Sequence, residues 1–151
     1  MIELIMQFFQ EGLVQNRSSA ARDELQLAAG ALLIEMMCVD YQEDEVERQA
    51  ITRAIGSMFS LSPEESAQLV DRAHARWEGA TDYYEFTSRV NAGFSLQQKE
   101  ALMEALWRVA YADGDIDKYE RHYLGKIAEL LYLPQHSIIA AKQRAQNTNE
   151  S

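Results

Sequence analysis

The sequence predicts an all-α, single-domain protein of about seven helices, and three observations support that prediction. Apolar residues recur with a helical period along nearly all of the 151 residues, and no window of alternating β-branched residues indicates a strand. Glycine (7 residues) and proline (2 residues) are scarce, which suits long helices better than many short turns. A unit of helix, acidic turn and helix occurs twice. Two copies predict a pseudo-symmetric domain rather than a solenoid, which needs about three or more repeats.

Each helix is predicted from an apolar seam, a start signal or both. An amphipathic helix over residues 2–16 comes first, and its apolar face is expected to pack on the helical core. Ser62, Pro63 and Glu65 give a strong start, because serine caps, proline suits the first helical position and the glutamate completes a capping box. The same pattern recurs from Asp82 and from Ser95. The later predicted helices cover about 22–39, 44–59, 63–77, 83–92, 96–112, 117–131 and 136–146.

The repeat divides the domain in two. Residues 33–40 align with residues 106–113 at an offset of 73, and the same offset pairs Asp44 with Asp117 and Glu47 with Glu120. We therefore assign 25–75 to repeat one, 76–95 to the connecting helix, 96–146 to repeat two and 147–151 to a frayed tail. The predicted core contains equivalent residues of both repeats: Leu33, Met36, Ile55, Met58, Leu106, Val109, Ile127 and Leu130.

The second acidic turn has two interpretations. In the first, Gly114 ends one helix in a left-handed conformation, Asp117 caps the next helix and Glu120 closes the capping box. In the second, the turn binds a hard divalent cation, similar to calcium or magnesium, through carboxylate oxygens. The candidate ligands are Asp113, Asp115, Asp117 and Glu120 in the second turn, with Asp40, Asp44 and Glu47 in the first.

The turn is not an EF-hand, because its glycine is at position 2 instead of 6 and position 12 is Leu124. The first turn is the weaker candidate, since it lacks the glycine and has Gln42 where the middle aspartate would be.

Four of these acids lie on apolar seams and are therefore expected to point inward. Asp113 continues the seam of Leu106 and Val109, and Asp40 has the equivalent place in repeat one. Glu120 begins a seam with Leu124, and Glu47 begins one with Ile51. Buried carboxylates need partners, which backbone N–H groups, an arginine or a bound cation can supply.

Composition excludes several classes of protein. The 24 acidic and 14 basic residues give a net charge of −10, which argues against binding to nucleic acid or anionic lipid. The single Cys38 permits no internal disulfide, and no segment is long enough to cross a bilayer or resembles a signal peptide, so we expect a cytoplasmic protein. His74, His122 and His136 match no metal-binding spacing, and no catalytic or phosphate-binding motif is present, so no enzyme is expected.

The chain resembles the TerB-like family, the tellurite-resistance protein B group. The resemblance lies in residues 107–117 with Glu120, in residues 127–131 and in residues 82–87, and it covers about 25–145. It implies an all-α fold with an internal repeat, a bacterial cytoplasmic protein linked to tellurite or general stress, and metal binding through the acidic turns without enzymatic activity. A similar domain is fused to a J-domain in a membrane-anchored bacterial co-chaperone.

The sequence thus predicts a non-enzymatic stress-response protein whose acidic turns bind a divalent cation or a basic partner. The alternative is an interaction module or co-chaperone-like adaptor in which the acids only cap helices. An unknown protein partner would then bind the apolar N-terminal helix or a groove between the repeats. A hydrolase with a carboxylate–metal centre is the least favoured alternative.

Overall fold

The structure is a computed structural model that describes residues 19–38, 45–112, 114 and 116–150. Over these residues it contains helices and their connections and no strand. The predicted helix over 2–16 lies outside the described residues. In chain order, the helices are α1 (Ser19–Cys38), α2 (Glu45–Phe59), α3 (Pro63–Glu78), α4 (Tyr84–Gly93), α5 (Leu96–Tyr111), α6 (Lys118–Leu130) and α7 (Gln135–Glu150).

Helix α1 lies at the centre of the fold. It is buried almost all round from Leu25 to Met37, and α2, α3, α4, α5 and α6 all pack against it. Gly30 allows one of these contacts to be close, because a Cβ atom at this position would lie 2.9 Å from the Cβ of Ala73 on α3. A helix that is apolar on every face must be surrounded by other helices, which is why α1 is the core of the domain.

Repeat two packs onto this core. Helix α5 packs against α1, α2, α6 and α7, and Leu102, Leu106 and Val109 are fully buried along it. Helix α6 contributes Leu124 and Ile127 and is joined to α1 by a buried hydrogen bond, in which the Tyr123 hydroxyl donates to the Leu32 carbonyl oxygen at 2.7 Å. The two repeats therefore share one core.

The core predicted from the repeat is confirmed with one exception. Leu33, Met36, Ile55, Met58, Leu106, Val109 and Ile127 are buried. Leu130 is only half-buried, because it lies in the last turn of α6 and packs on the edge of the core.

Two capping boxes confirm the predicted starts of α3 and α5. Ser62 and Glu65 exchange backbone hydrogen bonds of 3.1 and 2.9 Å, and Ser95 and Gln98 exchange bonds of 3.2 and 2.7 Å. The predicted capping box at Asp82 is wrong. The N-cap of α4 is Tyr83, whose ring packs edge-on against Tyr123.

Asp82 instead accepts one hydrogen bond, from the backbone N–H of Tyr84 at 2.8 Å.

At the other end of the chain, α7 continues to Glu150, through residues that we assigned to the tail. Among the described helices, none combines the length and the apolar character that crossing a bilayer requires.

Candidate functional site

The second acidic turn ends in a capping box made of two acids. The Asp117 side-chain oxygen Oδ1 accepts from the Glu120 backbone N–H at 2.8 Å, and Glu120 Oε1 accepts from the Asp117 N–H at 3.2 Å. Asp117 has the extended backbone of an N-cap residue, with φ −81° and ψ 174°. The capping prediction for these two residues is therefore confirmed. Both carboxylates also lie at a helix N-terminus, where the dipole stabilises negative charge.

The same turn begins at the end of α5. Gly114 has φ +102°, a conformation that residues with a Cβ atom rarely adopt, and its N–H donates to the Tyr111 carbonyl oxygen at 3.0 Å. The prediction of a positive φ at Gly114 is confirmed. The two aspartates that flank this glycine, Asp113 and Asp115, lie outside the described residues.

Glu120 is buried. Only 2% of its surface is exposed, although it is an acidic residue in the first turn of a helix, and its Oε2 atom is enclosed by protein. Glu47 has the equivalent position in repeat one, as the third residue of α2, and is also 2% exposed with an enclosed Oε2 atom. The prediction that both glutamates point inward is therefore confirmed. Asp40 and Asp44 of the first turn lie outside the described residues.

The chain offers an internal comparison for Asp117 and Glu120. The capping box at the start of α5 uses Ser95 and Gln98, and Gln98 is 4% exposed. A neutral pair thus supplies the same backbone hydrogen bonds as the acidic pair, and Gln98 is nearly as buried as Glu120. Charge is not needed to form a capping box in this fold.

Arginines form ion pairs with carboxylates elsewhere on the surface. Arg72 binds Asp23 and Arg76 binds Glu24, each through two hydrogen bonds between α3 and α1. Arg121, next to Glu120 in sequence, has its Nε atom 3.4 Å from the carbonyl oxygen of Ile116 at the turn itself. Within the ranges that the structure describes, no three His, Cys, Asp or Glu residues are placed to hold a metal ion.

Sequence analysis did not single out a second cluster, around Glu35. This residue interrupts the longest apolar run of the chain, which is the signal that could have revealed it. Its carboxylate accepts a hydrogen bond from the indole Nε1 of Trp77, and both residues line a cavity of about 360 Å³ with Tyr83 and Phe86.

Comparisons with known proteins agree with this fold. The family model of tellurite resistance protein TerB matches residues 26–143, so the chain belongs to the TerB family. Its structure is similar to the crystal structure of a protein of unknown function from Porphyromonas gingivalis W83. The TM-score is 0.64 at 17% sequence identity, and the match covers 83% of this chain and 95% of that chain. At this identity the likeness concerns the fold alone. No curated protein matches the sequence.

Proposed function

We propose that the chain is a non-enzymatic, cytoplasmic stress-response protein of the tellurite-resistance type that binds a divalent cation at its second acidic turn. Asp113, Asp115, Asp117 and Glu120 would supply the oxygen ligands, and the cation would be similar to calcium or magnesium, which bind oxygen. The first turn, with Asp40, Asp44 and Glu47, is the weaker candidate because it lacks the second turn's glycine and middle aspartate.

One observation supports this proposal above the others, namely that the capping box of α6 is built from two carboxylates, one of them, Glu120, buried. Ser95 and Gln98 cap α5 without charge, so the carboxylates of Asp117 and Glu120 add something that capping does not require. Carboxylate oxygens are the ligands that hard divalent cations prefer. A divalent cation bound at the same acidic turn would be attracted by this negative charge.

The complete capping box also favours a second candidate function. Because Asp117 and Glu120 exchange both backbone hydrogen bonds, the two acids have a structural role without any ion. In that case the protein is an adaptor that binds a protein partner at another surface.

Thermal melting with calcium, magnesium or manganese separates the two candidates, because a ligand specific to the folded state raises the melting temperature. We expect the wild type to melt higher with at least one of these ions. Asp113→Asn should abolish the increase, since it removes one donor with little change in shape. Its own stability without ion should be unchanged or slightly greater, because a carboxylate at a helix C-terminus is unfavourable.

The matched control is Glu129→Gln, which removes one exposed carboxylate from α6 away from the turn. This variant should keep the full increase. If no ion at millimolar concentration changes the wild-type melting temperature, the cation proposal is wrong and the adaptor candidate stands.

A further inference from the structure

The cavity beside Glu35 lies where three helices meet. Glu35 is in the last turn of α1, Trp77 and Glu78 end α3, Tyr83 is the N-cap of α4 and Phe86 lies in its first turn. Its volume of about 360 Å³ is within the range of small-ligand pockets. Phe86 is buried at its base, Glu35, Trp77 and Tyr83 are half-buried, and Glu78 and Asp82 are exposed at its rim.

The lining of this cavity is negatively charged. It contains the carboxylates of Glu35, Glu78 and Asp82 and no lysine or arginine among the residues that the structure describes. His74 contacts one of these carboxylates, with its Nδ1 3.3 Å from Glu78 Oε1. The C-terminal turns of α1 and α3 add the negative ends of two helix dipoles, which outnumber the one positive end at the start of α4. The cavity therefore favours a cation.

The acidic residues at the two ends of α1 have different partners. Those near its start face arginines, since Glu24 pairs with Arg76 at 2.7 Å and with Arg89 at 3.4 Å. The next residue on α3, Trp77, faces Glu35 with an indole N–H instead. A hydrogen bond from a neutral donor orients the carboxylate and leaves its negative charge in place.

The walls indicate which kind of cation fits. Trp77, Tyr83 and Phe86 provide aromatic surface, which attracts ammonium groups through the ring quadrupole and packs against their alkyl carbons. A bare metal ion would need several oxygens around one point. Glu35, Glu78 and Asp82 do not form such a group, because the described residues include no cluster of three potential metal ligands.

We propose that this cavity binds an alkylammonium group, with Glu35 as its charged partner and Trp77 and Tyr83 as its aromatic walls. A polyamine and the side chain of a lysine on a partner protein both carry this chemical group. The proposal is independent of the divalent cation at the acidic turn.

Isothermal titration calorimetry tests the proposal with two probes, spermidine and a short uncharged peptide that contains one lysine. We expect saturable binding of at least one probe by the wild type. Glu35→Gln should weaken it by about tenfold or more, because a hydrogen bond to a charged group becomes a neutral one. The glutamine can still accept the Trp77 hydrogen bond. If that variant does not fold, Glu78→Gln at the rim is the substitute, and it should weaken binding to a smaller extent.

A control variant keeps the test specific. Glu129→Gln makes the same change of charge on the exposed face of α6 and should leave the affinity unchanged. Binding of spermidine alone assigns the cavity to a polyamine, and binding of the peptide assigns it to a lysine side chain. The proposal is wrong if neither probe binds, or if Glu129→Gln weakens binding as much as Glu35→Gln does.

Discussion

Glu47 and Glu120 are each the third residue of a helix that follows an acidic turn, and each is buried to the same extent, with 2% of its surface exposed. The two positions are 73 residues apart and related by the internal repeat. Burial of a carboxylate at both equivalent places makes it a property of the repeated unit.

The first prediction concerns the capping box of α6 without any ion. Glu120→Gln should change the free energy of unfolding by no more than about 0.5 kcal/mol, because Gln98 has the same role at the start of α5. Glu120→Ala should cost about 1–2 kcal/mol, since it removes the acceptor of the Asp117 N–H and empties a buried site. Urea denaturation in the presence of a chelator measures both. Equal losses in the two variants would show that the charge itself stabilises the fold.

The second prediction concerns the shared core. Leu106 is fully buried on α5, so Leu106→Ala should lower the free energy of unfolding by about 2–5 kcal/mol. Leu96 on the same helix is 49% exposed, and Leu96→Ala should change it by no more than about 0.5 kcal/mol. Denaturant melts of both variants provide the comparison. A small loss for Leu106→Ala would contradict the packing described for α5.

The third prediction concerns the hydrogen bond between α6 and α1. Tyr123→Phe should cost about 1 kcal/mol near neutral pH, because it removes the bond to the Leu32 carbonyl oxygen. Burial, with smaller contributions from Glu35 and Tyr83, raises the pKa of Tyr123 well above its ordinary value of 10.0. A phenol whose pKa is higher in the folded state stabilises the fold at pH values below its pKa in the unfolded state. This contribution is lost as the pH rises toward the pKa in the folded state.

The difference in the free energy of unfolding between the wild type and Tyr123→Phe should therefore disappear above about pH 10. Denaturation at a series of alkaline pH values checks this, and a constant difference between the two proteins would contradict it.

The fourth prediction concerns the ion pairs that join α1 to α3. The hydrogen bonds from Arg76, together with the charges of Arg76, Arg89 and Arg72, hold the pKa of Glu24 below its ordinary value of 4.5. A carboxylate whose pKa is lower in the folded state stabilises the fold at pH values above its pKa in the unfolded state. This contribution is lost as the pH falls through the pKa in the folded state.

Glu24→Gln should thus cost about 0.2–1 kcal/mol at neutral pH, the range of partly exposed ion pairs. The difference from the wild type should disappear as the solution is acidified below pH 4.5. A cost that persists in acid would mean that the pair acts through packing rather than charge.

Much of the fold could be predicted from local patterns, because its helices are amphipathic and begin with recognisable caps. The inward positions of Glu47 and Glu120 followed from helical spacing alone. The contact of Glu35 with Trp77 did not, since it joins residues 42 apart in sequence and depends on how α1 and α3 pack. The start of α4 differed from its capping pattern for a similar reason, because Tyr83 packs against Tyr123 of repeat two.

The central claim is that the second acidic turn binds a divalent cation, and a calcium titration followed through backbone amide chemical shifts tests it most directly. We expect saturable shifts concentrated in residues 112–121, with smaller shifts or none at the first turn, and we expect Asp117→Asn to weaken them while its cap remains intact. Shifts that do not saturate, or that spread over the acidic surface in proportion to its charge, would contradict the claim.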